Sequence, residues 1–179
     1  MRCYLSILLF LLLLAPAKAQ PKYEVRAAWV TAVYGLDWPR TKATTPTAIR
    51  RQQEELTDIL DKLKAANFNT ILFQTRTRGD VLYHSSIEPY NSILTGKVDG
   101  DPGYDPLAFA VRECHKRGME CHAWMVAIPL GNKKHVASLG NKSVTKQRKE
   151  ICIPYKNEYF LNPGHPSTKE YLMKLVREV

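Results

Sequence analysis

The chain has 179 residues, of which 45% are hydrophobic and 24% charged, and it carries a formal net charge of +9. Its length is sufficient for one domain with a sizeable core. The net positive charge suggests nucleic acid as a binding partner. However, nothing in the chain resembles a nucleic-acid-binding module or a regular alternation of aromatic and basic residues, so we expect no nucleic-acid partner.

Residues 1–19 have the pattern of a signal peptide. Arg2 provides a positive start, residues 7–14 form a leucine-rich apolar core, and residues 17–19 place small side chains at both cleavage positions. The apolar run is shorter than the ~20 residues of a membrane-spanning helix. We therefore expect an exported protein, periplasmic or extracellular, whose mature chain begins at Gln20 and keeps no stable membrane anchor after cleavage.

Much of the excess positive charge lies in residues 133–149, which hold five lysines, one arginine and no acidic residue. A solvated surface loop explains such a stretch. Attraction to an anionic polymer, such as an acidic cell-wall glycan, is the alternative, and the sequence leaves both open.

Three cysteines follow the predicted leader, Cys114, Cys121 and Cys152. An odd number leaves at least one thiol unpaired and argues against a disulfide scaffold. Cys114 and Cys121 are each followed by a histidine, which suggests zinc. Yet neighbouring residues on a strand point to opposite faces, and no CxxC motif is present. We therefore expect no metal and no cofactor, and packed or surface roles for the cysteines.

The first predicted elements are a strand over residues 25–34 and a helix that starts near Thr45. Thr45 is suited to an N-cap, Pro46 to the first turn, and apolar residues then recur at helical spacing. Between these elements stands Trp38. Its ring is either buried for packing or a platform for a sugar ring.

Residues 69–83, NTILFQTRTRGDVLY, organise the rest of the chain. Residues 70–73 form a nearly continuous β-branched and aromatic run, which is typical of a strand covered on both faces in a parallel sheet. A polar cluster follows at once, formed by Gln74, Arg76, Arg78 and Asp80. Because loops at the carboxyl ends of parallel strands carry the chemistry in α/β folds, this cluster predicts a site.

A long connection over residues 84–104 follows, and connections of this length are functional or disordered. Its polar candidates are His84, Glu88 and Tyr90. Asp105 and Pro106 then mark the start of a helix that is expected to stop at Gly118.

The third predicted strand covers residues 120–128. Its alternation places His122 and Trp124 on the same face, which in a closed barrel points into the interior. Residues 129–158 are basic and poorly periodic, so we expect a long excursion from the top of this strand. A brief apolar run and a last helix beginning near Pro166 complete the chain.

Five segments in order, VRAAWV, FQTRTRGDVLY, DPGYDPLAF, HAWM and YFLNPGHP, resemble the glycosyl hydrolase-like 10 domain, an exported bacterial group. The likeness extends from residue 24 to residue 179 and assigns residues 20–179 to that domain. It implies an α/β fold, the N-terminal part of a TIM (β/α)8 barrel with three to four β/α units. Such a barrel needs ~200–250 residues, so the barrel is expected to be incomplete and truncated at its carboxyl end.

The resemblance also implies site residues. Asp80 is the candidate catalytic residue, most simply a general acid. The residues that the resemblance implies to contact substrate are Arg76, Tyr83, His122, Trp124 and Asn162. Trp38, in the turn after the first strand, is a further candidate for substrate contact on its residue type alone. No local spacing identifies a carboxylate pair, so the catalytic acid–base pair is expected to lie mostly beyond residue 179.

The resulting expectation is a fragment of an exported glycoside hydrolase that acts on O-glycosyl bonds of a polysaccharide or of peptidoglycan glycan strands. Two alternatives remain open from the sequence. One is a carbohydrate- or cell-wall-binding protein without catalysis, and the other is an inactive gene fragment.

Overall fold

The computed structural model describes residues 24–179, so the predicted leader lies outside the described residues. In chain order the elements are β1 (Ala27–Val30), α1 (Pro46–Ala65), β2 (Thr70–Arg76), α2 (Pro106–Lys116), β3 (Glu120–Met125), β4 (Pro129–Asn132), α3 (Lys133–Ser138), α4 (Val144–Gln147), β5 (Cys152–Tyr155), β6 (Glu158–Leu161) and α5 (Pro166–Glu178). Short 3₁₀ turns cover Val33–Gly35, Gly140–Lys142 and Lys149–Ile151.

Strands β1, β2 and β3 form one parallel sheet in that order. The connection from β1 to β2 contains α1, and the connection from β2 to β3 contains α2. Parallel neighbours require such crossovers, which bring the carboxyl ends of all three strands to one edge of the sheet. The predicted succession of β/α units with a shared exit edge is confirmed.

The helices begin where their capping chemistry predicts. The Thr45 hydroxyl accepts a hydrogen bond from the Ala48 N–H at 3.1 Å, and Pro46 follows at the first position of α1. In the same way, the Asp105 carboxylate accepts from the Ala108 N–H at 2.9 Å at the start of α2. Each cap satisfies one of the N–H groups that a helix leaves without a partner in its first turn.

Two apolar cores stabilise the described region. The larger lies between the parallel sheet and the first two helices, where Ile71 and Phe73 of β2 pack with Leu56 and Leu60 of α1. The second lies beneath the excursion and includes Leu161 and Leu175. The first core shows that the odd-numbered residues of β2 face the helices, so its even-numbered residues face the opposite side of the sheet.

The excursion after β3 contains a second, antiparallel sheet with the strand order β4-β6-β5. The apolar run at residues 159–161 therefore lies in an antiparallel strand and adds no fourth parallel one. Strand β1 is also shorter than predicted and ends at Val30. The backbone N–H groups of the two residues that follow β1 bond to side chains. The Thr31 N–H donates to the Asp37 carboxylate at 2.8 Å, and the Ala32 N–H donates to the Gln74 amide oxygen at 2.9 Å.

Among residues 24–179, no helix has both the length and the apolar character needed to cross a membrane.

Candidate functional site

The polar cluster after β2 folds into a tight turn around the Asp80 carboxylate. The Asp80 Oδ1 atom accepts hydrogen bonds from the Thr77 hydroxyl and from the Arg78 N–H, the latter at 3.2 Å. The turn is closed by the Thr77 N–H, which donates to the Asp80 carbonyl at 3.0 Å. Only 1% of Asp80 is exposed. The candidate catalytic carboxylate therefore organises its own loop in this arrangement.

A cleft lies beside this turn at the carboxyl ends of β1 and β2, with a volume of about 390 Å³. We call it the mouth cleft, and its polar lining consists of Tyr34, Lys42, Thr77, Arg78, Asn91, Ser92, Asn132 and His135. Tyr34 has a left-handed backbone, with φ at 56°, and presents a largely exposed ring. The Arg78 guanidinium lies 5.3 Å from the centre of that ring and donates to its hydroxyl at 2.8 Å.

The excursion contributes His135 to the same cleft. The Asn132 side chain caps α3 by accepting from the His135 N–H at 2.8 Å. From there, the His135 Nε2 atom donates to the Arg78 carbonyl at 3.0 Å and lies 3.6 Å from Asp80 Oδ2. Gly131 makes this approach possible, because a Cβ at that position would lie 2.7 Å from the His135 ring. The sequence showed no signal for His135, which stands in a lysine-rich stretch without periodicity.

Arg76 is buried in an ion pair beneath the loops. A shift in register between Gln74 and Arg76 marks a bulge in β2, and bulges re-aim the side chains that follow them. The Arg76 guanidinium donates from Nε and Nη2 to the two carboxylate oxygens of Glu88, each at 2.7 Å, and from Nη1 to the Ala127 carbonyl at 3.0 Å. Both side chains of the ion pair are 0% exposed.

Tyr171 of α5 completes this buried network by donating its hydroxyl to Glu88 Oε1 at 2.5 Å. Burial raises the pKa of the Tyr171 hydroxyl, and the Glu88 charge raises it further. Burial alone would lower the pKa of Arg76, but the charge and hydrogen bonds of Glu88 outweigh it, so that pKa is raised. The guanidinium therefore stays charged, and its side chain is held by Glu88 and the β3 exit away from the surface.

An aromatic surface lies on the sheet face opposite the helices. The register pairs His122 with Leu72 and Trp124 with Gln74, so both side chains belong to that face, as predicted. The Trp124 ring meets the Trp29 ring edge to face, with centroids 4.5 Å apart. Trp29 is 57% exposed, and each tryptophan is the penultimate residue of its strand. We call this Trp29–Trp124 pair, with His122 beside it, the aromatic floor.

The remaining predicted substrate contacts lie elsewhere. Trp38 is fully buried, with its ring packed on Phe73 and its indole N–H donated to the Gln52 carbonyl at 2.8 Å. Tyr83 is buried, and its hydroxyl lies 3.5 Å from the Leu175 carbonyl. The structure thus brings His122 and Trp124 together on one face and places Trp38 and Tyr83 in the core.

Asn162 shapes the turn before α5. Its side-chain oxygen accepts from the Gly164 N–H at 3.0 Å, and its carbonyl accepts from the Thr168 hydroxyl at 2.6 Å. Contact of Asn162 or of the other predicted residues with a glycan stays a prediction. Within residues 24–179, no group of three or more His, Cys, Asp or Glu side chains is placed to hold a metal ion.

Comparison with known proteins gives three results. The model of the family described as Glycosyl hydrolase-like 10 matches residues 24–179. The chain is 32% identical to the glycosyl hydrolase YngK of Bacillus subtilis over 164 residues, which covers 91% of this chain and 32% of YngK. It is also 32% identical to the glycosyl hydrolase DigH of Escherichia coli strain K12 over 178 residues, which covers 92% of this chain and 40% of DigH. The chain thus spans about a third to two-fifths of the length of these relatives.

A solved structure resembles the fold. The noncanonic maltogenic alpha-amylase AmyB from Thermotoga neapolitana matches with a TM-score of 0.51 at 13% identity, over 84% of this chain and 34% of that one. At this identity the likeness concerns the fold alone. Together with the parallel sheet and its alternating helices, it confirms the predicted α/β class and the arrangement of part of a (β/α)8 barrel.

Proposed function

The chain belongs to the glycosyl hydrolase-like 10 family, and from that premise we propose that it serves the hydrolysis of O-glycosyl bonds in a polysaccharide or in peptidoglycan glycan strands. Two relatives that match most of the chain are named glycosyl hydrolases, which supports this reaction class. The predicted leader supports an exported protein, periplasmic or extracellular, that meets such polymers outside the cytoplasm.

The aromatic floor is the observation that carries the proposal. Glycan sites in β/α barrels lie at the carboxyl ends of the strands, and the indole rings of Trp29 and Trp124 stand next to those ends. Each ring offers a broad apolar face to the apolar face of a sugar, while the neighbouring His122 adds a polar group that fixes orientation. This pairing of aromatic surface with a few polar groups is typical of a saccharide subsite.

Asp80 is the proposed general acid, whose role would be to protonate the leaving glycosidic oxygen. Its Oδ2 atom lies 3.6 Å from the His135 ring, at the edge of the mouth cleft. Because the carboxyl group is almost fully covered, the turn over residues 77–80 must open for Asp80 to reach a glycan. A purely structural carboxylate is the competing explanation, and it makes a different prediction for stability.

The binding experiment compares Trp124→Ala with Tyr155→Ala, which removes an exposed aromatic ring from the separate antiparallel sheet. The probes are peptidoglycan glycan strands and a neutral polysaccharide, with affinity measured by isothermal titration calorimetry. We expect Trp124→Ala to weaken binding about tenfold, or about 1.4 kcal/mol, Trp124→Phe to restore part of it, and Tyr155→Ala to leave it unchanged. Equal affinity for all variants would reject the aromatic floor as the glycan site.

The catalytic experiment measures release of reducing ends by Asp80→Asn and by Thr77→Val. Both variants perturb the hydrogen bond between the Thr77 hydroxyl and the carboxylate, but only the first removes the acid. A catalytic Asp80 predicts that Asp80→Asn keeps glycan affinity and loses turnover, while Thr77→Val keeps most of it. Equal losses of turnover and stability in both variants would show a structural role. Because the catalytic carboxylate pair is expected to lie mostly beyond residue 179, turnover is assayed on the full-length protein, and binding without turnover by that protein would favour a carbohydrate-binding protein.

A further inference from the structure

The cysteines Cys114 and Cys121 flank the tight turn between α2 and β3. Cys114 lies in the last turn of the helix, and its carbonyl accepts from the Met119 N–H at 3.0 Å, which folds the chain back on itself. Cys121 pairs in register with Ile71, a residue of the core between sheet and helices, so its side chain points toward the helix. Both side chains consequently lie on the same side of the sheet, Cys114 within the core between sheet and helices and Cys121 packed against that core.

The two thiols differ in their access to solvent. Cys114 is fully buried, whereas Cys121 is half-buried and lines a groove of about 810 Å³ together with Val111, His115 and other residues. The hydrogen bond to Cys121, together with burial, raises the pKa of the Cys114 thiol. The hydrogen bond from Cys114 outweighs the effect of burial on Cys121 and lowers its pKa. Cys121 is therefore the sulfur of the pair that a reagent in the groove reaches first.

We propose that Cys114 and Cys121 are a redox-active pair that closes to an intramolecular disulfide between α2 and β3. The closure requires a disulfide-containing oxidant, for which oxidised glutathione is the probe. The Cys121 thiolate attacks one sulfur of this oxidant, forming a mixed disulfide and releasing one glutathione thiolate. Cys114 then gives up its proton and attacks the Cys121 sulfur, which expels the second glutathione thiolate. Two protein thiols are oxidised, and one glutathione disulfide is reduced to two thiols.

Export would place this pair where disulfides persist, since extracytoplasmic compartments are oxidising. Cys114 and Cys121 lie close together in the sequence, and a disulfide between them leaves Cys152 as a free thiol. This agrees with the odd number of cysteines after the predicted leader. The proposal stands independently of the glycan site, because the two thiols lie on the helix-facing side of the sheet and the aromatic floor on the other.

Cys152 is the matched control within the chain. It lies half-buried on β5, and its thiol donates to the Arg148 carbonyl at 3.4 Å. Burial raises the pKa of Cys152 to about 11. This thiol therefore shares the partial burial of Cys121 but lacks the lowered pKa.

The experiment treats the purified full-length chain, carrying Cys3→Ser to remove the leader thiol, with oxidised glutathione and then blocks free thiols under denaturing conditions. Before blocking, intact mass should fall by ~2 Da, and peptide mapping should link Cys114 to Cys121. Cys152→Ser should leave that result unchanged. Cys114→Ser should stop at a glutathione adduct of about +305 Da, and Cys121→Ser should form neither product. Complete alkylation of both cysteines in the treated chain, or a persistent glutathione adduct on Cys121 when Cys114 is present, would overturn the proposal.

Discussion

Replacing Glu88 by glutamine tests whether the buried ion pair with Arg76 supports the strand exits. The substitution keeps the size of the side chain and removes its charge. The guanidinium then faces an amide N–H₂ where it now meets a carboxylate oxygen at 2.7 Å, and it remains 0% exposed without a counter-ion. Removing one partner of a fully buried pair costs about 3–5 kcal/mol, because the other charge stays desolvated.

Urea denaturation followed by circular dichroism gives the size of this loss. With a slope of about 2 kcal/mol per molar urea, a loss of 3–5 kcal/mol lowers the urea midpoint by about 1.5–2.5 M. Glu150→Gln is the matched control, since Glu150 pairs with Arg148 at 2.7 Å on the surface, where such pairs contribute little. We expect its midpoint to equal that of the unmodified chain.

A second variant separates the unpaired charge from the lost contacts. Arg76→Met combined with Glu88→Gln removes both charges, so its destabilisation should be smaller than the sum of the two single variants. A midpoint for Glu88→Gln within about 0.5 M of the unmodified chain, equivalent to ~1 kcal/mol, would refute this reasoning. The pair would then contribute no more than a surface contact.

Three further perturbations follow from local geometry. Burial raises the pKa of Glu55, but hydrogen bonds from the Thr41 hydroxyl and two backbone N–H groups outweigh burial, so the folded pKa lies below 4.5. The Glu55 carboxylate therefore stabilises the fold above pH 4.5, and this stabilisation is lost as pH falls through the folded pKa. Glu55→Gln should therefore flatten the fall of Tm between pH 6 and pH 3, and an unchanged fall of Tm in that range would contradict this prediction. Gly131→Ala should destabilise the excursion by about 1–3 kcal/mol, because residue 131 has φ at 91° and an added Cβ would meet the His135 ring. The expected result is faster proteolysis of residues 133–149, and an unchanged rate of cleavage would contradict this prediction. Thr45→Ala should cost about 1 kcal/mol in urea, whereas Thr45→Ser should cost almost nothing, because serine retains the capping oxygen.

The sequence was informative wherever structure depends on neighbours along the chain. The caps at Thr45 and Asp105 both appear where their local chemistry predicts them. The interior pairing of His122 with Trp124 was also predictable, because alternation along a strand fixes which side chains share a face.

Contacts between residues that lie far apart along the chain could not be predicted from the sequence. Glu88 was a candidate only as a loop carboxylate, and its bond to Tyr171 joins residues 83 positions apart. Trp38 shows the same limit, since a buried ring and a sugar platform require the same residue type. His135 enters the mouth cleft only because Gly131 allows the excursion to approach Arg78, a contact that no local pattern encodes.

The buried network explains how the two parts of the candidate site keep their positions. Arg76 extends from the end of β2 and holds the chain leaving β3 through the carbonyls of Val126 and Ala127. Glu88 brings the long β2–α2 loop to the same guanidinium. Strand β3, which carries Trp124, and the turn that holds Asp80 are consequently anchored to one guanidinium that is fully buried. An apolar side chain at residue 76 would fill the space but could not satisfy these carbonyls. The charge at residue 76 is therefore explained by the need to join three chain segments at the exit edge of the sheet, and its own contact with substrate is not required.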